Sequence, residues 1–544
     1  MKEKIRTSLL YFLIVTLQIL CICYWAGEKA NYYIDDLYSF THTKYFPESG
    51  RPFQRFTVSD DWQAEKWVGN GILKAEMIQT EEDSLLALPF LSVLKKLALD
   101  KYNYFGFLNI VQSLIPNAVP KHMPAVILNL LFFFFTQIFI FRITEELTGS
   151  RMVPLLAAAM YGFSLFAIGM ACYVRFYTMA VFLLAAVLRL HQIMRRTESI
   201  VRFELFTVLS MALLYTGIKN TQLFFILGTA LIFFFTLDLL ALRKYRRSCC
   251  YLVTIVPAGM YYVIRKTNFL DVIFHPEDFL TVGAESIIAK GLTNISSRRI
   301  LPLARAYLKW ICYQLFGSKV VFFSFIFIMA LLAVLWLVRS RKEPGEKRRE
   351  DGFIPVITAV TLTYIISALL GNLNAVRYIS FVFPLSAILL WALADLFTRE
   401  KTYRKPALLA CAFLMAAGIL AGELRHSDNI EYIYREDRQL IRLVGESETD
   451  TVVVIYTGAS SGIEHAVYDC VNMLPDSAKL YPVTASKHRI DPSEMPDTLL
   501  IWNSVNDKKD IKTYTDDLIA AGYVISKLGS DHISVVYTAR KTKP

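Results

Sequence analysis

Two adjacent carboxylates, Asp35 and Asp36, follow shortly after the first long apolar segment and are framed by Tyr32, Tyr33 and Tyr38. An exposed aspartate has an ordinary pKa of about 3.9, so it is ionised at neutral pH and can accept a proton as a general base. A solvated acidic turn with interfacial tyrosines accounts better for these residues taken alone. A catalytic role for this pair is therefore predicted only if other functional residues elsewhere in the chain lie on the same side of the membrane.

Three cations lie at the predicted outer ends of apolar segments. Arg175 is close to Tyr177 and Arg377 is next to Tyr378, each at the start of an apolar run, and Lys219 lies in a short turn. A basic residue at the apolar edge of a membrane is costly unless it is paired or reaches the interface. One such residue would indicate an anchor. Three on the same side as an acidic pair predict a site that holds an anion, such as a phosphate, beside a base.

The composition excludes an ordinary soluble enzyme. The chain has 544 residues, of which 55% are hydrophobic and 19% are charged, and its mean hydropathy is +0.40. Soluble domains carry about 25% charged residues. The net charge of +11 is what lysine and arginine on the cytoplasmic side of a membrane protein produce, so no nucleic-acid partner is expected. The eight cysteines include no CxxC pair, and a structural zinc site is not predicted.

Eleven segments are apolar enough to cross a bilayer, which takes about 20 residues: 9–26, 124–142, 152–171, 174–194, 203–218, 221–240, 249–265, 319–338, 353–371, 378–397 and 406–422. With a cytoplasmic N-terminus, the inner loops hold most of the lysine and arginine residues, in agreement with the positive-inside rule. We therefore predict an α-helical polytopic protein of the bacterial cytoplasmic (plasma) membrane with about 11 transmembrane helices and an outer C-terminus.

Two domains are predicted. Residues 1–422 form the transmembrane domain, and its outer loop, 27–123, contains a helix near 85–99 with the apolar spacing of a membrane-surface helix. Residues 423–544 form a soluble extracytoplasmic α/β domain, in which strand-like runs alternate with helix-like ones. The strand-like runs are 451–457, 498–503 and 532–539, and the helix-like runs are 431–444 and 507–521. This tail carries a net charge of −5, against +16 for the rest of the chain. Since it holds none of the three outer cations, we expect it to serve the acceptor or assembly rather than catalysis.

The tail also contains a pattern typical of dinucleotide-binding enzymes. The strand-like run 452–456 precedes a glycine-containing turn, 457–462, and Tyr523 lies four residues before Lys527. The nucleotide turn requires a last glycine, where this chain has Glu464. Tyr523 and Lys527 should share one helix face, but they lie in a strand-like run, where they would be about 13 Å apart. We therefore expect no dinucleotide site.

The membrane-face residues resemble motifs of one superfamily. The run 35–39 resembles the Asp-Asp/Glu motif in the first outer loop of GT-C superfamily glycosyltransferases, the class of the protein O-mannosyltransferases and the lipid A aminoarabinose transferase. The run 174–178 is similar to their Arg-x-Tyr helix start, and 377–379 with Pro384 is similar to their late Arg-Tyr…Pro span. The resemblance extends in layout over residues 1–422.

This resemblance implies a GT-C-like fold and a membrane glycosyltransferase, either hexosyl- or pentosyltransferase. The donor would be a sugar on a polyprenyl phosphate, its tail held in membrane lipid between spans, and the acceptor an extracytoplasmic glycan, lipid or protein of the cell envelope. Asp35 or Asp36 would deprotonate the acceptor, and the sugar would be transferred with inversion. The donor phosphate would be bound by Arg175, Tyr177, Lys219, Arg377 and Tyr378.

Two departures from the family pattern concern the site. Asp36 stands where glutamate is commoner, and the run 103–107 falls where many bacterial members carry a His-Pro-Pro motif. The second acidic position is therefore open between Asp100, the nearest carboxylate, and the acidic run 81–83. The cofactor is unknown. A divalent metal is compatible with the sequence but not required by it, and we assign no metal ligand.

Two other functions remain open. A membrane carrier of lipid-linked or anionic substrates would usually show repeated halves and broken helices at mid-membrane, and this chain shows no internal repeat. A non-catalytic, transferase-like scaffold would keep the layout without the reaction. The sugar, the acceptor and the oligomeric state are not determined by the sequence.

Overall fold

The structure is a computed structural model of the chain. It describes residues 2–43, 67–70, 89–93, 103–116, 119–196, 300–340, 375–399, 402–447, 449–456, 470–484, 490–504, 511–531 and 534–542, with a few single residues between these ranges.

Most of the described chain is helical. The α-helices in chain order are α1 (Lys2–Glu28), α2 (Ile34–His42), α3 (Asn103–Leu114), α4 (Met123–Thr148), α5 (Val153–Gly162), α6 (Leu165–Cys172), α7 (Tyr177–Arg196), α8 (Ile300–Trp310), α9 (Lys319–Ser340), α10 (Val382–Thr398), α11 (Arg404–Arg425), α12 (Asp437–Gly445) and α13 (Lys512–Ala520). A π-helical turn, Ile311–Leu315, continues α8, and a 3-10 turn, Val376–Ile379, precedes α10.

Several of these helices are long and apolar enough to cross a membrane, so the protein is a multi-pass membrane protein. Four pass this test within the described residues: Ile5–Glu28, Met123–Thr148, Lys319–Val338 and Arg404–Arg425. Helices α5 and α6 pass it together but are bent by 53°, and α7 and α10 contain shorter apolar stretches. The predicted spans 203–218, 221–240, 249–265 and 353–371 lie outside the described residues, apart from single positions. The count of eleven stays a prediction.

Contacts divide the chain into two compact units. The first comprises Met1–Cys23, Asn129–Ala171 and Phe176–Ile430. The second comprises Tyr24–Leu128, Cys172–Arg175 and Glu431–Pro544, so it combines the first outer loop with the tail. The predicted division between residues 422 and 423 stays a prediction.

In the first unit, glycines allow α11 to approach the turn after the π-helical segment. Gly317 has a φ of +66°, in the left-handed region that favours glycine. A β-carbon on Gly418 would overlap the carbonyl oxygen of Phe316 and press on Val321. The backbones therefore meet only because no side chain intervenes.

The sheet of the second unit has six strands in the described residues: β1 (Val68–Gly69), β2 (Thr451–Tyr456), β3 (Lys479–Thr484), β4 (Thr498–Asn503), β5 (Tyr523–Ser530) and β6 (Val535–Lys541). Their order is β1-β3-β2-β4-β6-β5. Strand β2 is parallel to both β3 and β4, whereas β6 pairs antiparallel with β4 and β5. The β-branched run of β2 is buried on both faces, as a central parallel strand requires.

Strand β1 belongs to the first outer loop and pairs antiparallel with β3, with Val68 opposite Leu480. Next to it, the side-chain amide of Asn70 donates to the carbonyls of Val471, Leu474 and Pro475. The outer loop is thus bonded to the tail through backbone as well as side-chain groups.

The predicted α/β character of the tail is confirmed, with two corrections. Strand β3, which contains Pro482, was not predicted. Proline is tolerated there since the outer neighbour of β3 is the two-residue β1. The predicted helix 431–444 begins only at Asp437, because Tyr432 and Tyr434 have φ values of 68° and 51°, outside the right-handed helical region.

We expect Gly418→Ala to destabilise the first unit by about 1–3 kcal/mol, although alanine favours a helix, because the added methyl group displaces the 316–317 backbone. Thermal unfolding of the purified protein in detergent measures this. Gly445→Ala is the control, since no described atom lies within 4 Å of the position of its new β-carbon. Equal transition temperatures for the two variants would contradict the close approach.

Candidate functional site

Helix α2 carries the acidic pair in its first turn, and Asp36 caps that turn. The backbone N–H of Tyr33, the residue before the helix, donates to Oδ2 of Asp36 at 3.0 Å. This is the acidic half of a capping box, in which the third helical residue reaches back to the residue that precedes the helix. Two carboxylates at a helix N-terminus also interact favourably with the helix dipole.

Asp36 is fully buried and accepts two further hydrogen bonds. Nζ of Lys29 lies 2.9 Å from Oδ2, and both side chains are 0% exposed. The backbone N–H of Val174 donates to Oδ1 at 2.7 Å. Burial raises the pKa of Asp36, and the Lys29 ammonium with the two backbone donors opposes this rise by stabilising the ionised carboxylate. Asp36 is therefore a structural carboxylate that is closed to solvent.

Asp35 is the accessible member of the pair, with a side chain that is 22% exposed. Its Oδ1 accepts from Nη2 of Arg175 at 2.8 Å, and its Oδ2 accepts from the hydroxyl of Tyr173 at 2.7 Å. The Arg175 guanidinium also lies 5.8 Å from the ring centre of Phe105. Asp35 is therefore oriented by one charged donor and one hydroxyl donor, while part of its side chain stays exposed.

A single three-residue segment binds both carboxylates. The N–H of Arg175 donates to the carbonyl of Tyr173 in a tight turn. The turn directs the Tyr173 hydroxyl and the Arg175 guanidinium to Asp35, and the Val174 N–H to Asp36. The sequence motif 174–178 therefore contributes through the residues that precede helix α7.

Three tyrosines, Tyr33, Tyr432 and Tyr434, pack together with Tyr173 of this segment. The rings of Tyr173 and Tyr432 are stacked, with centroids 3.8 Å apart and planes 6° from parallel. Tyr33 contacts both rings edge-on and lies nearly parallel to Tyr434 at 6.5 Å. Left-handed φ values at two bulky residues cost free energy and persist only when the surroundings impose them. The stack with Tyr173 is one such constraint on Tyr432.

The residues before α2 form a continuous seam with the beginning of the tail. Glu28 forms ion pairs with Arg435 and Arg438, each at 3.0 Å. The remaining contacts are Lys29 Nζ to the carbonyl of Tyr432, Ala30 N–H to the carbonyl of Ile433, Asn31 Nδ2 to Asp437, and Asn472 Nδ2 to Asn31 Oδ1. Four consecutive residues of the outer loop are thus held by the tail.

His122 binds the residues on either side of the segment 28–31, namely Ala26 and Tyr32. Its Nε2 lies 3.0 Å from the carbonyl of Ala26, which can only accept, so Nε2 carries the proton. Nδ1 then accepts from the hydroxyl of Tyr32 at 3.3 Å. Burial, and secondarily the Lys29 charge, lowers the pKa of His122 to about 4. The neutral ring is therefore the native form.

The other proposed phosphate ligands lie in the first unit or outside the described residues. Tyr177 is buried at the start of α7 and stacks on Phe176. Arg377 lies in the 3-10 turn before α10, with its guanidinium 4.8 Å from the ring centre of Tyr378. Asp100 and Lys219 lie outside the described residues. The roles of all these residues stay predictions.

The described part of the chain contains no group of three or more His, Cys, Asp or Glu side chains that could hold a metal ion. Tyr523 and Lys527 both lie in strand β5, as expected from the sequence, and not on a helix face. The turn 457–462 lies outside the described residues.

Four contributors were missed by sequence reasoning: Lys29, Tyr173, Tyr432 and His122. Lys29 could have been suspected, because a lysine seven residues before Asp36 is close enough along the chain to pair with it. Tyr432 contacts the partners of the two carboxylates through a ring face and a backbone carbonyl. Contacts of this kind leave no pattern in the sequence from which they could be predicted.

We expect Lys29→Met to destabilise the protein by about 3–5 kcal/mol, because it leaves Asp36 buried without its counter-ion. Adding Asp36→Asn should recover part of this loss, since the uncompensated charge is then gone. Thermal unfolding of Lys29→Met, of Asp36→Asn and of the double variant gives a double-mutant cycle for this pair. Strictly additive losses would mean that the two side chains do not interact.

Stability should also fall as the pH is lowered from about 6.5 to about 4, because unfolded His122 binds a proton in that range and the folded ring does not. His122→Gln keeps a donor for the Ala26 carbonyl but does not titrate, so its stability should depend less on pH. Unfolding temperatures across this pH range test the difference. A pH dependence of stability in His122→Gln equal to that of the wild type would contradict this role of His122.

No protein-family model and no curated protein sequence matches this chain. Among solved structures, two crystal structures of ArnT from Cupriavidus metallidurans are similar to it: one bound to undecaprenyl phosphate, with a TM-score of 0.46 and 12% identity, and one in the apo state, with a TM-score of 0.46 and 11% identity. Each alignment covers 97% of this chain and 97% of the ArnT chain. ArnT is a GT-C lipid A aminoarabinose transferase. The similarity is one of chain layout, and the roles of single residues follow from their own contacts.

Proposed function

We propose that this protein is a membrane glycosyltransferase that moves a sugar from a polyprenyl-phosphate donor to an extracytoplasmic acceptor of the cell envelope, with inversion at the anomeric carbon. The observation that carries the proposal is the environment of Asp35. It is a partly exposed carboxylate, oriented by a tyrosine and an arginine, at the start of a helix that follows shortly after a membrane-spanning helix.

Asp35 is the general base in this proposal, and Asp36 is its support. A base must reach the proton that it abstracts, and Asp35 is 22% exposed whereas Asp36 is 0% exposed. The oxygens of Asp36 already accept from Lys29 and two backbone N–H groups. The neighbouring carboxylates therefore have different tasks.

The reaction proceeds by direct displacement. The carboxylate of Asp35 takes the proton of an acceptor hydroxyl as its oxygen attacks the anomeric carbon. The bond from that carbon to the phosphate oxygen breaks, and its electron pair leaves with polyprenyl phosphate. At the anomeric carbon one C–O bond forms and one breaks, while the proton passes from the acceptor oxygen to Asp35. The anomeric centre is therefore inverted, and no redox partner is involved.

Positive charge next to the base suits the anionic donor. The guanidinium of Arg175 lies at Asp35 and can attract a phosphate to the same place, because it is planar and carries several N–H donors. Arg377 and Lys219, with Tyr177 and Tyr378, complete the proposed phosphate ligands. They would stabilise the charge that grows on the leaving oxygen.

The layout of the chain supports a membrane-bound donor. Several described helices can cross a bilayer, and one of them, α1, ends six residues before α2 and its acidic pair. A polyprenyl tail would remain in the lipid while its phosphate reaches the outer surface. The proposed orientation has a cytoplasmic N-terminus, so the reaction takes place outside the cytoplasm.

We expect Asp35→Asn to lower sugar transfer by about 10²–10⁴-fold, the usual cost of losing a general base, while the protein still accumulates in the membrane. Asp36→Asn should instead reduce the amount of folded protein, because an amide cannot accept all three of the hydrogen bonds that reach Asp36. Mass spectrometry of lipid-linked sugars and envelope glycans, in cells that produce each variant in place of the wild type, gives the readout.

An inactive Asp35→Asn should accumulate the lipid-linked donor and lack the product. Asp516→Asn makes the same chemical change on the exposed face of α13 and should behave as the wild type. Full transfer by Asp35→Asn would remove Asp35 from the role of base, and an unchanged glycan profile in cells without the protein would contradict the transferase function itself.

A further inference from the structure

The stacked pair Tyr173–Tyr432 joins the tail to the carboxylate site. Tyr173 holds Oδ2 of Asp35 with its hydroxyl at 2.7 Å. Its ring lies flat on that of Tyr432, with centroids 3.8 Å apart. A tyrosine hydroxyl sweeps a wide arc when its ring turns, so the direction of its hydrogen bond depends on what fixes the ring.

Tyr432 also acts on the second carboxylate. Its backbone carbonyl accepts from Nζ of Lys29 at 2.6 Å, and the same Nζ donates to Asp36. Lys29 is thereby fixed between a carbonyl of the tail and a carboxylate of α2. One residue of the tail thus touches the immediate partner of Asp35 through its ring and the immediate partner of Asp36 through its backbone.

The conformation of Tyr432 is imposed and not intrinsic. Its φ of 68° and that of Tyr434, 51°, are unfavourable for bulky residues. The flanking residues are fixed by the backbone bond from Ala30 to Ile433 and by the ion pairs of Glu28 with Arg435 and Arg438. The seam therefore keeps the Tyr432 ring and carbonyl where the carboxylate site needs them.

We propose that Tyr432 is a positioning residue of the transfer site, so that the tail completes this site and is not a separate acceptor module. The proposal rests on the proposed function of Asp35. Through Tyr173, the Tyr432 ring orients the base, and through Lys29, the Tyr432 carbonyl fixes the helix turn that carries it. Tyr432 itself touches no substrate.

The test compares Tyr432→Leu, which removes the ring, with Tyr432→Phe, which keeps it. We expect Tyr432→Leu to lower kcat by about tenfold or more, since misplacement of a catalytic group by about 1 Å can cost about a hundredfold. Its KM for the lipid-linked donor should change less than about twofold, because the Tyr432 ring is not a donor ligand. Tyr432→Phe should restore wild-type kcat.

The pH profile separates positioning from a general loss of structure. When the Tyr173 hydroxyl no longer donates to Asp35, the ionised base is less stabilised, so the acid limb of kcat/KM should move to higher pH in Tyr432→Leu. Tyr173→Phe, which keeps the stack but lacks the hydroxyl, should show the same displacement. Combining the two changes should move the limb no further, since both act through one hydrogen bond.

Tyr481→Leu is the matched control. It removes a buried tyrosine ring of the same unit, one that packs on Trp67 and donates to Glu494 but makes no described contact with the carboxylates. Its kcat and pH profile should be those of the wild type. A wild-type kcat and pH profile in Tyr432→Leu would overturn the proposal. If Tyr432→Leu does not fold, a wild-type profile in Tyr173→Phe would overturn it.

Hydrogen–deuterium exchange keeps the test independent of the reaction. The Val174 N–H is bonded to Asp36, so a loosened segment should exchange faster at residues 173–176 in Tyr432→Leu but not in Tyr481→Leu. Absence of sugar transfer by the wild type would refute the proposed function alone, and faster exchange would still support the positioning role of Tyr432. Unchanged exchange in Tyr432→Leu would overturn that role.

Discussion

The buried ion pair of Lys29 and Asp36 is the interaction on which the rest of the second unit depends. Two charges without solvent contact are tolerated only if every donor and acceptor around them is satisfied. Asp36 accepts from Lys29, Tyr33 and Val174, and Lys29 also donates to the carbonyl of Tyr432. The start of α2, the turn before α7 and the beginning of the tail are therefore fixed relative to one another by the needs of one carboxylate.

This requirement explains why two adjacent aspartates differ in burial, with Asp36 closed to solvent and Asp35 partly exposed. Successive residues in the first turn of a helix point about 100° apart, so only one of the pair can face the protein interior. Asp36 faces the interior, caps the helix and binds Lys29. Asp35 is left at the surface, where Tyr173 and Arg175 orient it. The buried carboxylate and the partly exposed carboxylate are thus neighbours in sequence with opposite environments.

Much of this arrangement was accessible from the sequence. Apolar length predicted α1, α4, α7, α9, α10 and α11, but neither α8 nor the break between α5 and α6. Strand-like runs in the tail predicted the central strands β2 and β4. The acidic pair and Arg175 were singled out because a charged residue at the apolar edge of a membrane is costly unless it is paired. Sequence alone could not choose between Asp35 and Asp36, since burial is decided by residues far along the chain. Lys29 and Tyr432, whose contact spans 403 positions, act through a buried charge and a backbone carbonyl, neither of which produces a periodic pattern.

The seam between the outer loop and the tail has a consequence for biosynthesis. Lys29 and Asp36 are seven residues apart and can pair soon after they leave the ribosome, because closing a short loop costs little entropy. Their third partner, the Tyr432 carbonyl, is made only after the transmembrane segments between them. The nascent protein therefore carries an incomplete site through most of its membrane insertion, and the site closes only when the beginning of the tail has been synthesised and docks on the outer loop. A chain that stops before residue 432 would keep its first helices but never acquire an ordered carboxylate pair.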